Sequence, residues 1–242
     1  MQSVFRFKQF ELKHGGSGMK LTTDSLLLGA WVEPAMPPRT IVDAGSGCGI
    51  LALMCAQRFT QARITAIDIS PDAFAESSDN FTASPWSDRL SAVNSDIEAW
   101  ADKHDDTVDL IICNPPYFTE TLRSPDAARA DARHAGTLSA ENIIALAARL
   151  LSPDGTLALV IPYSHIPRLS LPASLASLHI TRIAEVSARC GKDPSLALIQ
   201  LSHKAPDNAP VTELIYIRDS AGDFTTTYRR LTLPFLLYDK KA

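Results

Sequence analysis

Residues 40–50 read Thr40-Ile41-Val42-Asp43-Ala44-Gly45-Ser46-Gly47-Cys48-Gly49-Ile50. A short β-rich run, Thr40–Ala44, meets three glycines at alternate positions, and a helical apolar stretch begins at Ile50. A strand that turns through glycine straight into a helix opens a strand–helix–strand unit. The glycines allow a tight turn and close approach of a ligand to the backbone, and the free N–H groups of the helix start favour an anion. A dinucleotide fingerprint needs G-x-G-x-x-G. Here the third glycine position holds Ile50 and Gly49 falls one residue early, which disfavours a nicotinamide dinucleotide. No G-K-[ST] follows, so the turn is not a Walker phosphate loop.

Downstream, strand and helix patterns alternate. Ile50–Phe59 reads as a helix, Arg63–Asp68 as a second strand, Pro71–Thr82 as a helix with Pro71 in its first turn, and Leu90–Asn94 as a third strand. Val108–Cys113 is a continuous apolar run, as a central parallel strand requires. Ser139–Leu151 carries Ile143, Leu146, Ala147, Leu150 and Leu151 on one helical face, with Ser139 as its N-cap. Ser152–Gly155 reads as a turn and Thr156–Ile161 as a fifth strand. Ile180–Val186 and Leu196–Leu201 read as two more strands with no helix between them, an antiparallel hairpin expected at the sheet edge. The expected fold is therefore α/β, a doubly wound, mostly parallel seven-stranded sheet with that hairpin. Residues 1–36 are expected to form a short N-terminal cap or lid and residues 37–242 the main domain. Thr23 or Asp24 is expected to cap a helix over Ser25–Val32. Residues 114–138 form a loop of about 25 residues, and a loop that long inside a compact domain points to function.

Composition narrows the classes. The chain has 242 residues and a formal charge of −4, with 45% hydrophobic and 21% charged residues, ordinary values for a globular protein. No stretch of about 18 apolar residues could span a membrane, and Met1-Gln2-Ser3-Val4-Phe5-Arg6-Phe7-Lys8 lacks the apolar core of a signal peptide. The four cysteines, Cys48, Cys55, Cys113 and Cys190, include no C-x-x-C pair, so neither a disulfide framework nor a metal centre is expected. A reducing cytoplasm is the expected location, and a monomer the favoured state. A negative net charge means that any nucleic-acid contact needs a local basic patch.

Two acids extend the glycine loop into a ligand crevice. Asp68 closes the second strand, 19 residues after Gly49, where a carboxylate can accept from vicinal ribose hydroxyls. Asp96, in Asn94-Ser95-Asp96-Ile97, follows the third strand, where it can accept from an adenine amine while Ile97 packs on the ring. Either acid alone is readily a helix cap. Together with the G-x-G-x-G loop, they place glycine, acid and acid at successive strand ends, where ligands of open α/β sheets bind, and favour an adenosyl ligand.

The central apolar strand runs into Asn114-Pro115-Pro116-Tyr117. Two prolines remove two backbone donors and leave their carbonyls, Asn114 adds an acceptor, and Tyr117 offers a ring face for stacking. A donor-poor, acceptor-rich corner suits an –NH₂ group conjugated to a base or carbonyl, holding its lone pair toward an electrophile. The alternative is a plain turn, since N-P is a common turn dipeptide.

Taken jointly, these motifs resemble the class I S-adenosylmethionine-dependent methyltransferases that modify exocyclic amino or amide nitrogens. The N-terminal stretch Phe7-Lys8-Gln9-Phe10, His14, Met19-Lys20-Leu21-Thr22-Thr23-Asp24 and Leu27-Leu28-Gly29-Ala30-Trp31, together with Ser84-Pro85-Trp86, is similar to the bacterial valine-tRNA adenine-37 N6-methyltransferases. Ser25 departs from that family, which often has glycine there. The resemblance implies a Rossmann-like methyltransferase fold, S-adenosylmethionine as cofactor and tRNA as substrate. It implies cofactor contacts at Met19, Lys20, Thr23, Asp43, Gly45, Gly47, Gly49, Asp68, Ile69, Asp96, Ile97 and Asn114, and catalytic roles for Asn114, Pro115 and Tyr117. N-P-P-Y is shared with N5-glutamine protein methyltransferases, and guanine-N2 rRNA enzymes use close variants, so both stand as alternatives. Arg123, Arg129, Arg133 and His134 are candidates for RNA phosphates, with salt bridges to Asp126 and Asp131 as the plainer reading. Lys8, Lys13, His14 and Lys20 form a second basic group, and Arg229, Arg230, Lys240 and Lys241 a third.

Overall fold

A computed structural model describes residues 3–16, 21–116 and 138–238. A hairpin of β1 (Ser3–Arg6) and β2 (Glu11–His14) leads to α1 (Thr23–Trp31). Strands and helices then alternate as β3 (Thr40–Ala44), α2 (Ile50–Arg58), β4 (Arg63–Asp68), α3 (Pro71–Thr82), β5 (Leu90–Asn94), α4 (Ile97–Ala101) and β6 (Val108–Cys113). Most of the loop expected over residues 114–138 lies outside the described residues, and from Leu138 onward come α5 (Ala140–Leu150), β7 (Leu151–Pro162), α6 (Ser170–Leu175), β8 (His179–Arg189), β9 (Leu196–Ser202), β10 (Val211–Arg218) and α7 (Thr226–Thr232).

The expected doubly wound sheet is present, in the order β10-β8-β9-β7-β6-β3-β4-β5. The strands from β5 to β7 pair in parallel. β6 lies near the middle, and Leu110, Ile111, Ile112 and Cys113 have no exposure at all, which is why that run is apolar on both faces. Alternate strand residues feed two cores, one on each face. Ile41, Leu110 and Ile112 join α1 and α2 in one, and Val42, Ala44, Ile111 and Cys113 join α5 in the other.

Four expectations change. The sheet has eight strands among the described residues, because β10 adds in parallel to β8. The β8–β9 hairpin therefore does not form the edge. β9 inserts antiparallel between β7 and β8, and β10 covers the outside. The turn expected over Ser152–Gly155 is a bulge within β7. Val108 pairs with Leu151, Leu110 with Thr156, and the extra residues loop out between them. Helix α1 starts earlier than expected, because Thr22 is extended and its Oγ1 accepts from the Ser25 N–H at 3.3 Å, so neither Thr23 nor Asp24 is the cap. Ser139 does cap α5, accepting from the Asn142 N–H at 3.2 Å.

Among the described residues before β3, the aromatic turn of the hairpin and helix α1 pack into the first core. Phe7, Phe10 and Leu12 are buried, and the rings of Phe7 and Phe10 stack at 4.4 Å. The Lys8 N–H donates to the Phe235 carbonyl at 2.8 Å and Gln57 Nε2 to the Pro234 carbonyl at 2.8 Å, which ties residues 233–236 to both the hairpin and α2.

Candidate active site

The parallel register aligns four strand ends. Asp68 stands beside Asn94, and Ala44 beside both Ile67 and Cys113. With strands about 4.8 Å apart, the row from Asn114 through the glycine loop and Asp68 to Asp96 spans about 14 Å. The sheet order reverses between β3 and β6, the usual place for a ligand crevice in an open α/β sheet.

The loop between β3 and α2 is held by its neighbours. Gly45, Gly47 and Gly49 all have positive φ, at +69°, +52° and +80°. The N–H groups of Gly45 and Ser46 donate to the Ile67 carbonyl, and that of Gly47 to Asp68 Oδ2 at 2.8 Å. A Cβ on Gly45 would lie 2.3 Å from Leu138 Cδ2, and one on Gly49 would lie 2.5 Å from the Phe81 ring. Hand and space therefore both demand glycine at these two positions.

Asp43 lies fully buried under this loop, with Oδ2 accepting from the Ala52 N–H at 3.0 Å. Burial pushes its carboxyl up to about 7 and the nearby Asp68 charge adds to the rise, against the opposing Ala52 bond. Asp43 Oδ1 and the buried Ser46 Oγ have no hydrogen-bond partner among the described residues. Buried polar oxygens without partners are uncommon, and these two, one at the end of β3 and one in the loop after it, fit a ligand that brings an ammonium donor and a carboxylate acceptor. Cys48 in the same loop is a packing group, since burial raises its thiol to about 12.

Asp68 anchors the crevice floor. Its Oδ1 accepts from the Ser70 N–H at 2.9 Å, so each oxygen carries one backbone bond. Asn94 Nδ2 bonds the carbonyls of Asp68 and Ile69 at 3.0 Å each. Asp96 is the N-cap of α4, with Oδ1 accepting from Glu98 and Ala99. Ile97 is 4% exposed within the second core, whereas Ile69 is 49% exposed at the end of β4, so Ile69 offers the larger apolar face.

At the end of β6, Asn114 Nδ2 donates to Ser25 Oγ at 2.9 Å, and buried Pro115 follows. Thr23 is exposed in the first turn of α1. Met19, Lys20, Tyr117, Arg123, Arg129, Arg133 and His134 lie outside the described residues. Three participants had no motif to announce them. Ser46 is one and Ser25 another. The third is Asn80 on α3, 2% exposed, whose Nδ2 bonds the carbonyls of Cys48 and Lys13 and whose Oδ1 accepts from the Lys13 N–H. A buried side-chain amide in a helix was the available signal for Asn80, because such a group must find partners.

Comparison with known proteins identifies the family. The family model for the methyltransferase small domain matches residues 19–178. The chain is 39% identical over 240 residues to a tRNA1(Val) (adenine(37)-N6)-methyltransferase of Porphyromonas gingivalis, covering 96% of this chain and 94% of that one. It is 37% identical over 233 residues to the protein of the same name from Vibrio campbellii, covering 96% and 95%. Among solved structures, a predicted O-methyltransferase of Agrobacterium tumefaciens superposes with a TM-score of 0.63 at 19% identity, covering 88% of this chain and 96% of that one, a likeness of fold. On its sequence, its glycine crevice and these matches, the chain belongs to the methyltransferase small domain family.

Proposed function

We propose that this protein transfers a methyl group from S-adenosylmethionine to the exocyclic N6 of an adenine in tRNA, with adenine 37 of a valine tRNA as the target. The row of strand ends carries this reading. It sets the acceptor corner of Asn114 and Pro115 beside the glycine loop, Asp68 and Asp96. The relatives bearing the adenine N6 name match over nearly their whole length, which supports the same substrate.

The cofactor supplies a methyl group on a sulfonium, a ready electrophile. Asp43 Oδ1 and Ser46 Oγ, both buried and lacking partners among the described residues, take the amino-acid end. Asp68 accepts from the ribose hydroxyls. Asp96 takes the adenine amine, and Ile69 and Ile97 flank the ring. Met19, Lys20 and Thr23 cover the mouth. Asn114 Oδ1 and the Pro115 carbonyl accept the two N–H bonds of the target amine, which turns its lone pair toward the methyl group, and Tyr117 stacks the flipped base. The amine proton leaves to water after transfer, so no strong base is needed at the nitrogen. Arg123, Arg129, Arg133 and His134 hold flanking phosphates.

The test is methyl transfer from labelled S-adenosylmethionine to tRNA from cells lacking the gene, followed by nucleoside mass analysis. N6-methyladenosine confined to valine tRNA is the expected result. Label in protein instead would move the substrate to an amide nitrogen. Asn114→Ala should lose activity by about a hundredfold or more while cofactor binding in calorimetry persists.

A further inference from the structure

A chain with a net charge of −4 must concentrate positive charge somewhere to hold a polynucleotide. The sheet topology fixes where such charge is useful. β7 runs parallel to β6, and β9 runs antiparallel to both β7 and β8, so β8 and β10 end on the same rim as β6. From the Asn114 corner this rim leads one way past the glycine loop to Asp68 and Asp96, and the other way past β7 and β9 to β8 and β10. The first arm is the cofactor crevice, and its two carboxylates repel phosphate. A polynucleotide whose base enters the corner therefore leaves along the second arm.

That arm ends in arginine. Arg189, the last residue of β8, is the register partner of Arg218, the last residue of β10. Both are exposed, and like charges side by side on a sheet cost stability. Their guanidinium groups converge on Gly222. Arg218 Nη1 donates to the Gly222 carbonyl at 2.7 Å, and a Cβ on Gly222 would lie 2.9 Å from Arg189 Nη2. Among the described residues neither arginine makes an ion pair. The nearby Asp219 Oδ1 accepts instead from the N–H groups of Gly222 and Asp223. Arg218 Cζ is held 4.2 Å over the Phe224 ring, and Arg229 Nε donates to the Phe224 carbonyl at 3.2 Å, which adds a third exposed guanidinium to the same turn. The turn after β8 is equally fixed. The Cys190 N–H donates to the Arg218 carbonyl at 2.8 Å, Ser187 Oγ donates to the Lys192 carbonyl at 2.8 Å, and Lys192 itself is exposed. Residues 189–193 and 218–230 together hold five basic and three acidic side chains, so they are positive in a chain that is negative as a whole.

We propose that Arg189 and Arg218 form a phosphate-binding site for the tRNA at the far end of the catalytic rim, extended by Lys192 and Arg229. Three and four strand spacings of about 4.8 Å set the two arginines about 14 and 19 Å from the Asn114 corner. At about 3.4 Å per stacked nucleotide, that is about four to six nucleotides from the target base. Such a contact reads no base. It fixes the register of the backbone, so that the target falls at the corner. This inference rests on the function proposed above.

The experiment measures Kd for valine tRNA by filter binding of the full chain at several salt concentrations, together with kcat and the cofactor Kd. The variants are Arg189→Gln, the double variants R189Q/R218Q and R189K/R218K, and Arg63→Gln, which removes a charge from the exposed start of β4 at the opposite end of the sheet. R189Q/R218Q should weaken tRNA binding about tenfold or more and lower the slope of log Kd against log salt by about two, and Arg189→Gln should lower it by about one. For both, kcat at saturating tRNA and the cofactor Kd should stay within about twofold. R189K/R218K should keep the wild-type slope, and Arg63→Gln should change tRNA affinity by less than about twofold. Unchanged affinity and slope in R189Q/R218Q overturn the proposal. An equal loss in Arg63→Gln overturns it too, because the effect would then be one of overall charge. If R189Q/R218Q also loses cofactor binding, Arg189→Gln alone decides, since the Arg189 side chain makes no hydrogen bond, ion pair or ring contact among the described residues, and an unchanged slope there overturns the site. A wild-type chain that binds tRNA through these arginines but forms no N6-methyladenosine overturns the proposed reaction and not the site. One that methylates tRNA independently of them overturns the site alone.

Discussion

Asp43 titrates near 7 in the folded protein, against an ordinary value of 3.8, because burial outweighs the single backbone bond that favours its charge. The folded state thus holds this proton more tightly than the unfolded chain. Its contribution to stability is complete below about pH 4 and is lost as pH rises toward 7. Asp43→Asn should flatten that decline, by an amount on the order of a few kcal/mol, in melting curves taken from pH 4 to 8. An ammonium placed against Oδ1 would favour the charged carboxylate, so cofactor binding should strengthen from pH 6 to 8 and release a proton. Calorimetry in buffers of different ionisation heat measures that release. Gly45→Ala and Gly49→Ala should each cost about 1–3 kcal/mol from backbone strain alone, before the clashes with Leu138 and Phe81 are counted. Much at this scale was legible. The alternating glycines and the acid at each strand end are local patterns. Ser25 was not, because its partner lies 89 residues away and a serine in a first turn reads as an ordinary helix start.

Among the elements, α3 links the glycine loop to the hairpin. Asn80 makes three hydrogen bonds, to Lys13 on β2 and to Cys48 in the loop. Asn80→Ala leaves those backbone groups without partners. It should cost about 1–3 kcal/mol in denaturant unfolding and weaken cofactor binding in the same protein, while Ser78→Ala on the same helix leaves binding unchanged. β3, β4 and β5 were readable because each pairs with the next through one short helical connection, and β6 because it is an unbroken apolar run. β10 was not. Val211 is 62% exposed and Leu214 47% exposed on this edge strand, so its pattern is blurred, and its partner β8 precedes it with β9 between them in sequence. The bulge in β7 was hidden for another reason. Pro153-Asp154-Gly155 is ideal turn chemistry, and only the pairing with β6 on both sides of it shows that the strand resumes.

Across the whole molecule, the glycine loop, Asp68, Asp96 and Asn114 lie along one rim of the sheet, where the parallel strands end, and among the described residues the antiparallel β9 adds none of the proposed site residues to it. A net charge of −4 opposes an RNA polyanion, so substrate capture must come from local basic residues. KM for tRNA should accordingly rise steeply between about 50 and 200 mM salt while kcat changes little, as steady-state assays over that range would show. The core depends on residues far apart in sequence. Phe235 has no exposure and packs with the aromatic hairpin, α1 and α2, so Phe235→Ala should cost about 3–5 kcal/mol in chemical denaturation.

The hydrogen bond from Lys8 to Phe235 closes a loop of 227 residues. Synthesis runs from the N-terminal side, so Phe7 and Phe10 leave the ribosome more than 220 residues ahead of Phe235, which shares their core. The aromatic hairpin therefore reaches its final packing only after residue 235 has been made, and a chain truncated before that residue lacks the bond that ties the hairpin down.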